Sequence, residues 1–267
     1  MPDGYASLGD ELMRKGEIVD GARLGDERTR TREILGYTFE LTCPDLALPV
    51  GTGRKVNVGI AAIEALQLVG GWSDPALTVR VAPQMANYMD AGVFHGAYGL
   101  RCASQVEAAI RRLTDDRTSR QALVTIWDPL RDMNDGPRDL PCTITLQWLL
   151  RGDLLHAVTY MRSNDFWWGL AYDAFQFSQL QCSIAAHLGV GVGRYHHHVG
   201  SFHAYERDWE NIAGLTEAPT DSHPAVEHGL HSPGDTWADV RARTRAIATG
   251  ADVEGHDWYQ RAMAKYV

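Results

Sequence analysis

Apolar positions recur along the chain with two periods, and their alternation outlines a fold. Val106, Ala109, Ile110 and Leu113 stand at i, i+3, i+4 and i+7, which predicts an amphipathic helix over 104–113. Residues 121–127, QALVTIW, are apolar and β-branched and read as a strand. Two further strand patterns, TITLQWLL at 143–150 and LLHAVTYMR at 154–162, flank Arg151-Gly152-Asp153. That tripeptide has the composition of a tight turn, so the three segments predict a β-hairpin. Leu170, Ala174, Phe177, Gln181, Ile184 and Leu188 run down one face of a long helix, and Gly189 stands where a terminating glycine belongs. A strand over about 194–205 follows. LPVGTGRK at 48–55 reads as a loop, and HSPGD at 231–235 as a turn before a C-terminal helix. Helices and strands mix without regular βαβ alternation. The expected class is therefore α+β, with a mixed or largely antiparallel sheet packed with helices in a single domain over 1–267.

Composition narrows the class. The 267 residues are 45% hydrophobic and 22% charged, which excludes a disordered chain. The net charge of −9 argues against a protein that binds nucleic acid through bulk electrostatics, although a local basic pocket for a phosphate remains compatible with it. Cys43, Cys102, Cys142 and Cys182 form no C-x-x-C pair, so reduced thiols in a cytoplasm are expected. The first twenty residues contain no apolar core of a secretory signal. The most apolar stretch, 56–72, is interrupted by Asn57, Glu64 and Gln67 and is too polar and short to span a bilayer.

Several residue types stand out as candidate chemistry. Cys142 follows Pro141 at the start of a predicted strand; a lone cysteine is usually a buried structural thiol, and Cys182 on the long helix fits that reading. Arg162-Ser163 could clamp an oxyanion or phosphate, and an arginine close to Cys142 would lower the thiol pKa. Asp173, next to Ala174, and Glu64, near Ile60, Ile63 and Leu68, are carboxylates at the edge of core faces, where they need partners or a pocket. His196, His197 and His198 are consecutive on a predicted strand and so alternate faces, which prevents them from chelating one metal together. Cys142, His203 and Asp165 can be sketched as a hydrolase triad, but no local signature supports it.

The order of motifs is more specific than any one of them: Ser119-Arg120, Pro141-Cys142, Gln147, Arg162-Ser163-x-Asp165-x-x-x-Gly169-Leu170, then His203-x-Tyr205. It resembles the thymidylate synthase family, which includes the pyrimidine nucleotide hydroxymethylases, over roughly residues 28–208. The resemblance implies a thymidylate-synthase-like fold, a sheet-mediated homodimer and 5,10-methylenetetrahydrofolate as cosubstrate. It also implies roles. Cys142 would add to C6 of a pyrimidine nucleoside monophosphate. Arg28, Arg162 and Ser163 would hold its phosphate, with Arg120 reaching the phosphate of the partner subunit. His203 and Tyr205 would hold the sugar hydroxyl, and Glu64 and Tyr98 would organise water and proton transfers. Asp165 would contact the pterin, and Gly169 belongs to the same motif.

The departures point further. Thymidylate synthases carry asparagine at the position of Asp173, where its amide pairs with the uracil edge. Cytosine offers an N3 acceptor and an N4 amino donor, which suit a carboxyl that accepts from N4 and, when protonated, donates to N3. Aspartate here is also what the family's deoxycytidylate hydroxymethylases show. Thr143 replaces a histidine, Gln121 an arginine and Met161 a glutamine, and the usual tryptophan pair has no equivalent before Tyr98. The expected reaction is C5-hydroxymethylation of CMP or dCMP. The alternatives are a thymidylate synthase or cytidylate methylase, in which hydride replaces water, and a nucleotide-binding paralogue without catalysis.

Overall fold

In the computed structural model, residues 2–20, 30–42, 44, 48–49, 52–133, 136–217 and 230–267 are described. Arg28 and Cys43 lie outside them. The described chain runs α1 (Pro2–Lys15), β1 (Glu17–Asp20), β2 (Arg30–Leu41), α2 (Val58–Gly70), α3 (Pro75–Val81), α4 (Tyr98–Asp115), β3 (Leu123–Thr125) and α5 (Pro129–Asp132). It continues with β4 (Thr143–Arg151), β5 (Leu154–Asp165), α6 (Leu170–His187), β6 (Gly191–Tyr205), α7 (Trp209–Ala213), α8 (Trp237–Ala248) and α9 (Asp257–Met263).

The strands form one six-stranded mixed sheet in the order β1-β2-β6-β5-β4-β3. The expected hairpin is present: β4 pairs antiparallel with β5, from Arg151↔Leu154 back to Thr143↔Met161. The chain then leaves the sheet as α6 and returns as β6, parallel to β5. β2 closes antiparallel on β6. This is the α+β class, and the single parallel pair exists because a whole helix bridges its strands.

The helices cover one face of the sheet. α6 is buried from Leu170 to Ala185 except at Asp173, and it ends where Gly189 takes φ 65°, a left-handed conformation that costs a glycine little. α2 is buried nearly all round and packs against α4, α6 and α8. Asn57 caps it by accepting from the Gly59 and Ile60 amides. α4 extends the expected 104–113 helix in both directions and buries the predicted stripe of Val106, Ala109, Ile110 and Leu113. β3 is shorter than the expected 121–127 strand: Ile126 and Trp127 both turn their amides onto the Ile144 carbonyl, which ends regular pairing. α8 begins at a capping box of Thr236 and Asp239, just after the 231–235 turn. Among the described residues, no helix is long and apolar enough to cross a membrane.

Candidate active site

The chemistry converges where α2, α4, α6 and the start of β4 meet. Glu64 from α2, Tyr98 at the first turn of α4, Cys142 just before β4 and Asp173 in the first turn of α6 line one cavity of about 230 Å³. All four are predicted site residues, brought together from positions as far apart as Glu64 and Asp173. The volume falls below the roughly 300–1,000 Å³ of a pocket for a drug-sized ligand. It suits a flat ring with a small substituent better than a whole nucleotide.

Cys142 is held tightly. Its carbonyl accepts from the Arg162 amide at 2.8 Å. The Arg162 guanidinium donates to the Pro141 carbonyl at 2.9 Å and the Leu140 carbonyl at 3.3 Å, and stacks over Trp127. The arginine therefore braces the backbone leading to the thiol. The nearby arginine acts on the thiol in the expected direction, but it is outweighed. Burial raises the Cys142 pKa, the nearby Arg162 opposes that rise, and the carboxylates Asp173, Asp139 and Asp165 add to it. The thiol is thus neutral at rest rather than a preformed thiolate.

The two carboxyls in the cavity are also shifted. Burial pushes Glu64 up to about 8, helped by Asp173 and Asp139. Burial pushes Asp173 up to about 7 against the hydrogen bonds it receives. Asn164 Nδ2 donates to Asp173 Oδ2 at 2.8 Å, and Gln176 Nε2 lies 3.2 Å from Asp173 Oδ1 and 3.5 Å from Glu64 Oε2. Asp173 can therefore carry a proton near neutrality, as donation to cytosine N3 requires. The Tyr98 hydroxyl, raised by burial, accepts from the Thr143 amide at 3.3 Å.

Gly169 starts α6 against this cluster. A Cβ there would stand 2.9 Å from Asn164 Nδ2 and 3.1 Å from Asp173 Oδ2. Glycine is what lets the β5–α6 turn approach the Asp173 carboxyl so closely.

The other predicted residues that are described are not among those lining the cavity. Asp165, at the end of β5, accepts from the Trp167 and Trp168 amides at 2.8 and 3.2 Å, and burial raises its pKa while His203 opposes the rise. Ser163 and His203 are neighbours across the parallel pair, Oγ to Nδ1 3.5 Å. His203 meets Tyr205 edge to face. Arg120 is exposed and offers its carbonyl to Gln147, while Ser119 accepts from the Gln121 amide.

Other residues of the site escape a linear reading. Trp72, Met85 and Phe94 give the cavity an apolar wall, and Asp139 closes its rim by accepting from the Gly96 amide at 2.8 Å. Asn164 and Gln176 hold Asp173 from two sides. His197 is fully buried inside the sheet, unlike its two neighbours, and among the described residues no group of three or more His, Cys, Asp or Glu side chains is arranged to hold a metal.

With this geometry in hand, comparison with known proteins is decisive for the family. The family model described as thymidylate synthase matches residues 3–236. The chain belongs to the thymidylate synthase family. It is 29% identical over 236 residues to the deoxyuridylate hydroxymethyltransferase of Bacillus phage SP01, covering 79% of this chain and 61% of that protein. It is 33% identical over 173 residues to the deoxyuridylate hydroxymethyltransferase of Pseudomonas phage M6, covering 61% and 49%. A putative thymidylate synthase of Methanocaldococcus jannaschii is 27% identical over 214 residues, covering 78% and 89%. The chain thus spans about half to three-fifths of the length of the two phage relatives.

Proposed function

We propose that this member of the thymidylate synthase family is a cytidine nucleotide C5-hydroxymethylase acting on CMP or dCMP. The observation that carries the reading is Asp173: a carboxyl poised near neutrality on the wall of the cavity that holds Cys142. Cytosine needs one partner that accepts from N4 and donates to N3, and a carboxyl with a pKa of about 7 can do both.

The residues divide the work. Cys142 adds to C6 once its proton has left, and the addition makes C5 nucleophilic. Members of the family use methylenetetrahydrofolate as the one-carbon donor, which supplies carbon at the oxidation level of formaldehyde. The apolar wall of Trp72, Met85 and Phe94 in the cavity that holds Cys142 fits a flat pterin, which Asp165 would contact. Glu64 and Tyr98 hold water and protons at the ring's far edge, where charge develops. In the product the C5 proton is lost, the carbon comes from the folate, which departs as tetrahydrofolate, and the hydroxyl oxygen comes from water as the Cys142–C6 bond breaks. Ser163, His203, Tyr205 and Arg162, with Arg28, would face the sugar and phosphate. Arg120 would serve a partner subunit in a sheet-mediated homodimer.

The phage relatives favour the same chemistry on a uridine nucleotide, because both are named deoxyuridylate hydroxymethyltransferases. Mass spectrometry of products from methylenetetrahydrofolate with CMP, dCMP, UMP or dUMP separates the readings. Gain of CH₂O on a cytidine nucleotide is the expected result. The same gain on dUMP supports the relatives' substrate, gain of CH₂ makes the protein a methylase, and absence of product with all four leaves a binding protein.

A further inference from the structure

Asp173 ends a buried hydrogen-bond chain that the steps above do not use. Asn164, on β5, donates from Nδ2 to Asp173 Oδ2 at 2.8 Å, and its Oδ1 lies 3.1 Å from His197 Nε2. His197, on β6, lies with Nδ1 2.7 Å from the Tyr195 hydroxyl, which the Thr159 side chain bonds in turn. Asn164, His197, Tyr195 and Thr159 are each no more than 2% exposed, and Asp173 meets the cavity. The His197 ring is stacked on Phe39, with centroids 4.7 Å apart.

Chemistry sets the direction of the chain. An ionised carboxyl only accepts, and a protonated one that donates to the base still accepts on its remaining lone pairs, so the Asn164 amide turns its Nδ2 toward Asp173. Asn164 Oδ1 then needs a donor, which is His197 Nε2–H. That leaves His197 Nδ1 to accept from the Tyr195 hydroxyl. Burial holds His197 neutral, with a pKa lowered to about 3, and its two hydrogen-bond partners place the hydrogen on Nε2. Donors therefore run one way, from the interior of the sheet to the cavity, and bonds so aligned reinforce one another.

We propose that Asn164, His197 and Tyr195 are positioning residues for base recognition, holding one oxygen of Asp173 so that its carboxyl presents a fixed plane to the cytosine edge. This rests on the reading of Asp173 as the base-reading group. A network that serves only the core would have no reason to end on the cavity wall. Gln176 meets the other oxygen from α6, so the carboxyl is gripped on both sides.

The test compares the wild type with His197→Phe and Tyr195→Phe, measuring KM and kcat for dCMP and dUMP beside the melting temperature. The phenylalanine ring keeps the stack on Phe39, and Tyr195→Phe removes a single hydroxyl, so a folded variant is available if the first fails to fold. His197→Phe is expected to cut the cytidine-over-uridine ratio of kcat/KM by about tenfold, through a higher KM for dCMP with kcat changed less. Tyr195→Phe should shift the ratio in the same direction by a smaller factor. A lower melting temperature with an unchanged ratio in both variants overturns the relay and leaves Asp173 as the base reader. A wild-type preference for dUMP overturns both, and the wild-type arm alone shows it.

Discussion

Glu64 and Asp173 face each other across Gln176, whose Nε2 lies 3.2 Å from Asp173 Oδ1 and 3.5 Å from Glu64 Oε2. Burial pushes both toward or above neutrality, and the charge of Asp173 adds to the rise at Glu64. The site is therefore built to hold protons that an exposed carboxylate would have released. In the proposed reaction that property would link base reading to proton transfer at the ring.

Stability should carry the mark of that arrangement. The Asp173 pKa is raised from 3.8 to about 7, so the folded protein holds a proton that the unfolded chain releases as pH climbs between those values. Its contribution therefore becomes more unfavourable as pH rises through this window, and levels off above about 7. Asp173→Asn should stabilise the fold by roughly 2–4 kcal/mol at pH 7.5, with the gain shrinking toward zero near pH 4. Urea unfolding across that range checks it. A gain independent of pH would show that Asp173 does not titrate as described.

The thiol makes a simpler demand. Cys142→Ser should lower turnover by at least roughly a thousandfold and abolish any covalent complex with the nucleotide, because the neutral hydroxyl is a far weaker nucleophile. Nucleotide binding should survive the change. Single-turnover kinetics with mass analysis of the intact protein reads both. A covalent complex persisting in the serine variant would assign the addition to another residue.

One wall of the cavity hangs on a charge cluster remote from the chemistry. Asp132 is fully buried, accepts two bonds from Arg101 at 2.6 and 2.8 Å, and lies 2.8 Å from His95 Nε2. Burial works against its ionisation, yet the bonds from Arg101, the Asp128 amide and His95 hold its carboxyl well below the usual range. Asp132→Ala leaves Arg101 buried without its partner and should cost about 3–5 kcal/mol. The loop from Phe94 to Ala97 should loosen with it. Thermal unfolding and hydrogen exchange at Gly96 check the loss; a change below about 1 kcal/mol would contradict the structural role.

Gly169→Ala tests close approach. The added methyl would meet Asn164 Nδ2 and Asp173 Oδ2, so one of them must move. Cytidine binding should weaken about tenfold or more while the melting temperature falls by only a few degrees. Titration calorimetry with dCMP measures the first. Unchanged affinity would mean that the turn yields without disturbing the carboxyl.

What the sequence reveals follows from where the contacts lie. The β4–β5 hairpin and α6 are legible because their patterns are local and strong, ending at Gly152 and Gly189. β2 is not read in advance: along Arg30–Leu41 only Phe39 and Leu41 are buried, so its alternation is nearly silent. α1 hides for a similar reason, with Tyr5, Gly9 and Leu12 its fully buried positions. Cys142, Glu64, Tyr98 and Asp173 are legible through the family motif, and the structure gathers them. Asn164, Gln176 and His197 are not, because each acts through a partner distant in sequence. A signal for His197 was present all the same. Strand alternation turns the middle of three histidines to the opposite face, and a histidine facing the core needs hydrogen-bond partners there.

The account stands or falls on how Asp173 reads the base. The most direct measurement is a competition between dCMP and dUMP, with methylenetetrahydrofolate present, for the wild type and for Asp173→Asn. The wild type should favour the cytidine nucleotide, and the asparagine variant should move the ratio toward uridine by about ten- to over a hundredfold, the roughly 1–3 kcal/mol of one mismatched edge. An unchanged ratio in the variant, or a wild type that favours dUMP, would contradict it.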